Sequence, residues 1–318
     1  MKTLIIYYSQ TGNTQKIARA IRDGIREAGS EADLRFLKTV KYEELDGYDM
    51  IGFGSPIWFE MPPNMRKFVE EMPELPGKLA FSFCTHGTMP DLYFPLVIPR
   101  LKKKKLKIID WKNWYGNCTV QIFPEPYYTA GHPDAIDLEE ARSWGHRLSR
   151  TAVNILSGGI FTFPEPPKPD MEPEHANAAI MNLGGFHNVH GRLIRDPDKC
   201  LYPKCRICID NCTMGYNDYS TGEDRFGNCG NACDDTHGCT YCELLCPAGA
   251  IHPVRPYEEA APVGERHHYE LFCRILSRDE TAGKFRRLLP EDEVGETTPF
   301  YSVHPRHPRI RPLDFKDD

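Results

Sequence analysis

From Thr3 to Tyr8 the chain reads Thr-Leu-Ile-Ile-Tyr-Tyr, an apolar run of strand length with no polar alternation. A strand buried on both faces of a parallel sheet has this signature. Ile17, Ala20, Ile21, Ile25 and Ala28 then recur at helical spacing, and Gly29 ends the run. Apolar runs return at Asp49–Gly54 and Leu79–Cys84, and Leu106–Ile109 with Thr119–Phe123 form a further strand region. Helix-like stretches separate them, near Pro63–Met72 and Leu92–Lys103. Alternation of strands and helices predicts a doubly wound α/β sheet. Leu138, Ala141, Trp144, Leu148, Ala152 and Ile155 mark a closing helix, and Asp137 with Glu140 predicts a capping box at its start.

The pattern then changes. Pro164, Pro166, Pro167, Pro169 and Pro173 fall close together, which suits a semi-rigid connector. This divides the chain into an α/β domain over 1–158, a Pro-rich linker over 159–181, a cysteine-rich domain over 182–256 and a C-terminal extension over 257–318. No fixed-period repeat is present. The 318 residues allow two domains, and 40% apolar with 26% charged content is that of an ordinary globular chain. A net charge of −6 gives no reason to expect nucleic acid or an anionic membrane as partner. No stretch approaches the roughly 20 apolar residues of a membrane span. Leu4–Tyr8 is too short for a signal peptide core, so a cytoplasmic location is expected.

Nine of the twelve cysteines lie between Cys200 and Cys246. They include two triplets, Cys205-x2-Cys208-x3-Cys212 and Cys239-x2-Cys242-x3-Cys246, the second followed by Pro247. Cys200 precedes the first triplet, and Cys229 and Cys233 precede the second. In a reducing compartment, clustered thiols point to metal ligation over disulfides. A tight turn can supply three thiolates to one iron–sulfur cubane, and the fourth comes from elsewhere. Two [4Fe–4S] centres are therefore expected, with a single cluster as an alternative. A zinc ribbon through Cys205, Cys208, Cys239 and Cys242 is a further alternative, but it leaves five neighbouring cysteines without a role.

Asp196–Ile251 resembles the bacterial two-cluster ferredoxins, through Asp196-Pro197-Asp198-Lys199-Cys200 at one end and Cys246-Pro247-Ala248-Gly249-Ala250-Ile251 at the other. The resemblance implies a small α+β iron–sulfur domain in which the last cysteine of each motif ligates the other cluster. Carried over, one cluster takes Cys200, Cys205, Cys208 and Cys246. The other takes Cys212, Cys239, Cys242 and either Cys233 or Cys229, with Cys233 giving the more similar motifs. The chain departs from the family in its wider first gaps, in Thr213 where the family has proline, and in the long insert Thr213–Asn228. The segment 200–250 carries a net charge of −4, which either steers a basic protein partner or simply keeps the segment soluble. Cys118 and Cys273 stand apart and are expected to be packed thiols.

At the other end of the chain, Ser9-Gln10-Thr11-Gly12-Asn13-Thr14 joins the first strand to the first helix. Backbone N–H groups at a helix start, hydroxyls and a glycine that admits close approach make a phosphate cradle. The spacing is neither that of a Walker A loop nor Gly-x-Gly-x2-Gly, and no nicotinamide fingerprint is present. The loop resembles the phosphate loop of the flavodoxin family, and the resemblance extends over roughly 1–158. It implies a five-stranded parallel sheet and an FMN site. The flanking ring loops would be Ser55-Pro56-Ile57-Trp58-Phe59 and Cys84-Thr85-His86-Gly87, with Trp58 stacked on the ring and His86 at its edge. Trp58-Phe59-Glu60-Met61 has no glycine where many flavodoxins carry one beside the flavin N5. Cys84 also reads as a buried strand residue.

The two resemblances together imply a flavodoxin–ferredoxin fusion of the kind found in anaerobic metabolism. Its expected function is electron transfer between FMN, two [4Fe–4S] clusters and a protein redox partner. Tethering gives the second site an effective concentration on the order of mM. A second reading is an FMN-dependent reductase of a small substrate fed by the clusters, with Tyr257, His267, His268 or Tyr269 as proton donors. A non-redox zinc-ribbon binding module is the third. No spacing identifies an acid–base pair, so no catalytic residue is assigned.

Overall fold

The computed structural model describes residues 1–57, 61–88, 90–118, 126–168, 193–212, 217, 219–220, 241–253 and 263–293. The chain divides into two units. The described part of the first covers 1–117 and 131–168; the second holds 118 and 126–130 with the described residues from 193 onward.

The first unit is a parallel sheet of five strands in the order β2-β1-β3-β4-β5. These are β1 (Lys2–Tyr7), β2 (Glu31–Phe36), β3 (Met50–Pro56), β4 (Leu79–His86) and β5 (Lys107–Tyr115). The helices are α1 (Asn13–Glu27), α2 (Pro63–Glu71), α3 (Tyr93–Lys103) and α4 (Ala135–Leu156). The alternation of β1 shows how both faces are covered. Leu4 and Ile6 join Phe53, Met65, Val69, Val97 and Ile98 under α2 and α3. Ile5 and Tyr7 join Ile17, Ile21, Ile25, Phe81, Trp144 and Leu148 under α1 and α4. The five-stranded parallel fold expected from the sequence is the fold observed.

Three local features differ from the expectation. β2 has no apolar run, because it lies at the sheet edge and buries only one face, through Ala32 and Leu34. β5 continues past Ile109 to Tyr115. The capping box of α4 is formed by Asp134 and Asp137, not by Asp137 and Glu140. The Asp134 carboxylate accepts from the backbone N–H of Ile136 and Asp137, and Asp137 accepts from that of Asp134. Glu140 instead faces β5, where it pairs with Lys112 (2.6 Å) and accepts from the Trp114 indole (3.0 Å).

α1 and α4 cross backbone to backbone. A Cβ on Gly24 would collide with the Arg142 carbonyl, and one on Gly145 with the Ile21 carbonyl.

The second unit contains a short antiparallel pair, β6 (Leu193–Arg195) with β7 (Ile251–Pro253). Between them in sequence lie α5 (Ile207–Asp210) and α6 (Tyr241–Leu245), which touch each other. Tyr219, Cys242, Cys246, Ala250 and Ile251 form a small core. A longer helix, α7 (Val263–Thr281), buries Leu271, Phe272, Ile275 and Leu276. Its Ser277 hydroxyl lies 3.1 Å from that of Tyr128, and Arg287 stacks over the Tyr128 ring. Of the outlying cysteines, Cys273 is buried and Cys118 is half-buried. Among the described residues, no helix is long and apolar enough to cross a membrane.

Candidate functional site

The sheet order places β1 between β2 and β3, so the chain switches direction of winding at the carboxyl ends of β1 and β3. A crevice at that point is where an open α/β sheet takes a ligand. The Ser9–Thr14 loop lies there. Ser9 is buried and its hydroxyl accepts from the Gly12 N–H at 3.1 Å. Gly12 caps α1 with a left-handed φ of 96°, a conformation that favours glycine. Gln10 and Thr11 are half-buried. The Asn13 amide donates to the Asn117 carbonyl (3.0 Å), and the Thr14 and Thr85 hydroxyls share a hydrogen bond of 2.8 Å. The loop is thus tied to the ends of β4 and β5. No acid occupies the first turn of α1, so the positive end of the helix dipole is not offset there.

The neighbouring strand ends complete the crevice. Ser55 is fully buried and bonded to the Tyr93 hydroxyl (2.8 Å); burial pushes the Tyr93 phenol well up. Pro56 and Ile57 are half-buried, and the Ile57 N–H donates to the Thr85 carbonyl. Cys84 points into the core, where burial raises its thiol strongly. His86 Nε2 lies 3.0 Å from Asn113 Oδ1, and its ring is 4.6 Å from that of Tyr115. Gly87 follows, half-buried. Trp58 and Phe59 lie outside the described residues.

Asn113, Tyr115 and Asn117 also stand at this end of the sheet. They were not legible as site residues, because only the register of β5 against β4 brings them there. Two buried polar atoms, Thr88 Oγ1 and Asn117 Oδ1, have no hydrogen-bond partner among the described residues. Such atoms are costly to leave unmet and suit a polar ligand. Hydroxyls, amides, a glycine turn and a helix start free of acids fit a phosphorylated group such as FMN. His132, Asp134 and Asp137 also bring their ligand atoms within 4.8 Å of one another, but this set is the α4 cap and its buried imidazole partner.

The flavodoxin domain model matches residues 4–114. Residues of this half are 34% identical to a flavodoxin from Clostridium saccharobutylicum, over 49% of this chain and 100% of that protein. The chain belongs to the flavodoxin family. The membership runs through its N-terminal half. The flavodoxin-family half is also 33% identical to an NAD(P)H dehydrogenase (quinone) from Archaeoglobus fulgidus, over 48% of this chain and 98% of that protein. A solved archaeal flavodoxin covers 48% of the chain at 21% identity and a TM-score of 0.40.

In the second unit, one pocket is lined by Cys200, Cys205, Cys208 and Cys246, with Leu201, Ile207, Pro247 and Ile251 among its apolar walls. β6–β7 pairing explains the meeting: the Asp196 N–H donates to the Ala250 carbonyl (2.7 Å), which brings the approach to Cys200 beside the exit from Cys246. The Ala250 N–H also donates to the Cys246 sulfur at 3.3 Å. Burial raises the Cys208 thiol, and a bond with the Tyr219 hydroxyl at 3.4 Å works against that rise. Four thiols around one pocket are a donor set that would suit an iron–sulfur group. Cys212 follows α5, half-buried, and Cys242 is buried on α6; neither lines this pocket. Cys229, Cys233 and Cys239 lie outside the described residues.

Proposed function

We propose that the chain is an electron-transfer protein that holds FMN in its flavodoxin-family half and iron–sulfur clusters in its cysteine-rich half. The observation that carries this reading is the convergence of four thiols on one pocket in a chain whose other half is a flavodoxin-family sheet. When bound, FMN exchanges electrons singly or in pairs, and a [4Fe–4S] centre exchanges them one at a time. Ser9, Thr11, Gly12, Asn13 and Thr14 hold the phosphate through backbone N–H groups and hydroxyls, and Gln10 lies in the same loop. Ser55, Pro56, Ile57, Trp58 and Phe59 on one side, and Thr85, His86 and Gly87 on the other, flank the ring. The bonds joining Thr14 to Thr85 and Asn13 to Asn117 keep the crevice rigid before the ligand arrives.

Cys200, Cys205, Cys208 and Cys246 hold one [4Fe–4S] cluster. Cys212, Cys239, Cys242 and Cys233 hold the second. Apolar side chains line the first pocket beside the sulfurs, and Cys246 is the most deeply buried of the four. The acidic balance of the segment directs a basic protein partner to this half. Iron, sulfide, zinc and flavin analysis on anaerobically purified protein tests the reading. About eight irons and one FMN per chain are expected. About four irons reduce the assignment to one cluster, and zinc in place of iron overturns it.

The likeness to an NAD(P)H dehydrogenase (quinone) favours a second reading, FMN-dependent reduction of a small acceptor. Steady turnover of a quinone without any protein partner would select it. Reduction of a protein carrier with no such turnover selects the first.

A further inference from the structure

Tyr219 lies in the long insert that separates the two cysteine motifs, a segment the ferredoxin resemblance leaves without a task. The structure gives this residue three contacts that point one way. Its hydroxyl is 3.4 Å from the Cys208 sulfur. The Arg195 guanidinium lies over its ring, 4.4 Å from the centroid. Tyr202 meets the ring edge-on at 5.5 Å, with the planes at 89°. The side chain is only 5% exposed, so solvent does not compete for the hydroxyl. Asn217, two residues earlier, donates to the Cys208 carbonyl at 3.0 Å and so ties its own position to α5.

A cysteine that ligates iron is a thiolate and has no proton to give, so the bond must run from the Tyr219 O–H to the Cys208 sulfur. Resting on the iron–sulfur reading above, we infer that Tyr219 is a positioning residue that sets the reduction potential of the cluster held by Cys200, Cys205, Cys208 and Cys246. Reduction adds one negative charge, and part of it spreads onto the ligand sulfurs. A donor aimed at such a sulfur stabilises the reduced form more than the oxidised form and raises the potential. Arg195 acts in the same direction in two ways. Its charge over the ring draws electron density from the phenol and strengthens the donor. Its positive charge, held over the ring that touches Cys208, also favours the added negative charge. Tyr202 holds the ring so that the hydroxyl keeps its aim.

The test is a potentiometric titration of the anaerobic holoprotein followed by EPR, for the natural protein, Tyr219→Phe and Arg195→Gln. Iron and sulfide content are measured on each sample. Tyr219→Phe should keep its iron and sulfide while one cluster midpoint moves to a more negative value. The flavin midpoint should not move. Arg195→Gln should move the same cluster in the same direction by less, and by less still when Tyr219 is already phenylalanine, since part of its effect passes through the phenol. A loaded Tyr219→Phe protein whose cluster midpoints stay in place, or move positive, overturns the inference and leaves the iron–sulfur reading standing. If Tyr219→Phe fails to load, 3-fluorotyrosine in place of Tyr219, a stronger hydroxyl donor of nearly the same shape, decides: a positive shift of one cluster midpoint supports the inference and no shift overturns it. Absence of iron from the natural protein overturns both readings.

Discussion

Thr14 and Thr85 are separated by 71 positions in sequence and by a single hydrogen bond in the fold. Both are buried, so Thr14→Val leaves the Thr85 hydroxyl without its partner at a cost of about 1–3 kcal/mol. The urea midpoint should fall, and flavin affinity should fall with it, because the phosphate loop loses its tie to β4. Unchanged affinity in isothermal titration would separate the loop from the ligand. The role of Thr14 as a helix-start hydroxyl was legible in the loop. Its bond to Thr85 was not, since that depends on which strand ends become neighbours. Tyr48 offers a pH test at the same scale. It donates to Asp33 at 2.7 Å, and burial with this bond pushes the phenol from 10.0 up to about 12. A raised value means that the stabilisation is complete below pH 10 and is lost as pH rises through about 12. The urea midpoint of the natural protein should therefore fall across this window, and Tyr48→Phe should flatten that part of the fall.

Among the elements, β1 was plain in the sequence because a strand buried on both faces needs no polar positions. β2 was not, because an edge strand with one face in solvent shows only Ala32 and Leu34 as its apolar signal. The start of α4 was displaced in the sequence reading for a similar reason. Asp137 and Glu140 have the spacing of a capping box, but so do Asp134 and Asp137, and the chain turn at Gly131–Asp134 selects the earlier pair. Asp134→Ala should cost about 1 kcal/mol in chemical denaturation, with Glu140→Ala affecting the contacts to β5 and not the cap. The crossing of α1 and α4 reverses an ordinary expectation. Alanine in place of a helical glycine usually gains up to about 1 kcal/mol. At Gly145 the added methyl meets the Ile21 carbonyl, so Gly145→Ala should destabilise by about 1–3 kcal/mol. A rise in thermal midpoint would contradict the backbone-to-backbone crossing.

For the whole molecule, the flavodoxin-family half was legible because strand and helix follow one another with few interruptions. In the cysteine half the sequence showed a crowd of thiols but not the form that gathers four of them. Cys200, Cys205 and Cys208 are neighbours in sequence, so their meeting is local. Cys246 reaches the same pocket through a pairing of three-residue strands, β6 and β7, too short to leave a pattern. On the proposed two-cluster reading, Cys246→Ser should remove one cluster signal and about half of the iron from the purified protein; retention of both signals would show that Cys246 is not a ligand.

Between β5 and α4 the chain leaves the first unit at Asn117 and returns at Gly131. Part of the intervening stretch is held by its own neighbours in the second unit, with Tyr127 and Tyr128 buried there. The proline-rich linker is therefore not the only seam. A recombination event that exchanged one carrier half for another at that linker would transplant these residues away from the helix they lean on. Chains of this build are expected to descend as one inherited piece, with changes at Tyr128 tracking changes at Ser277 and Arg287.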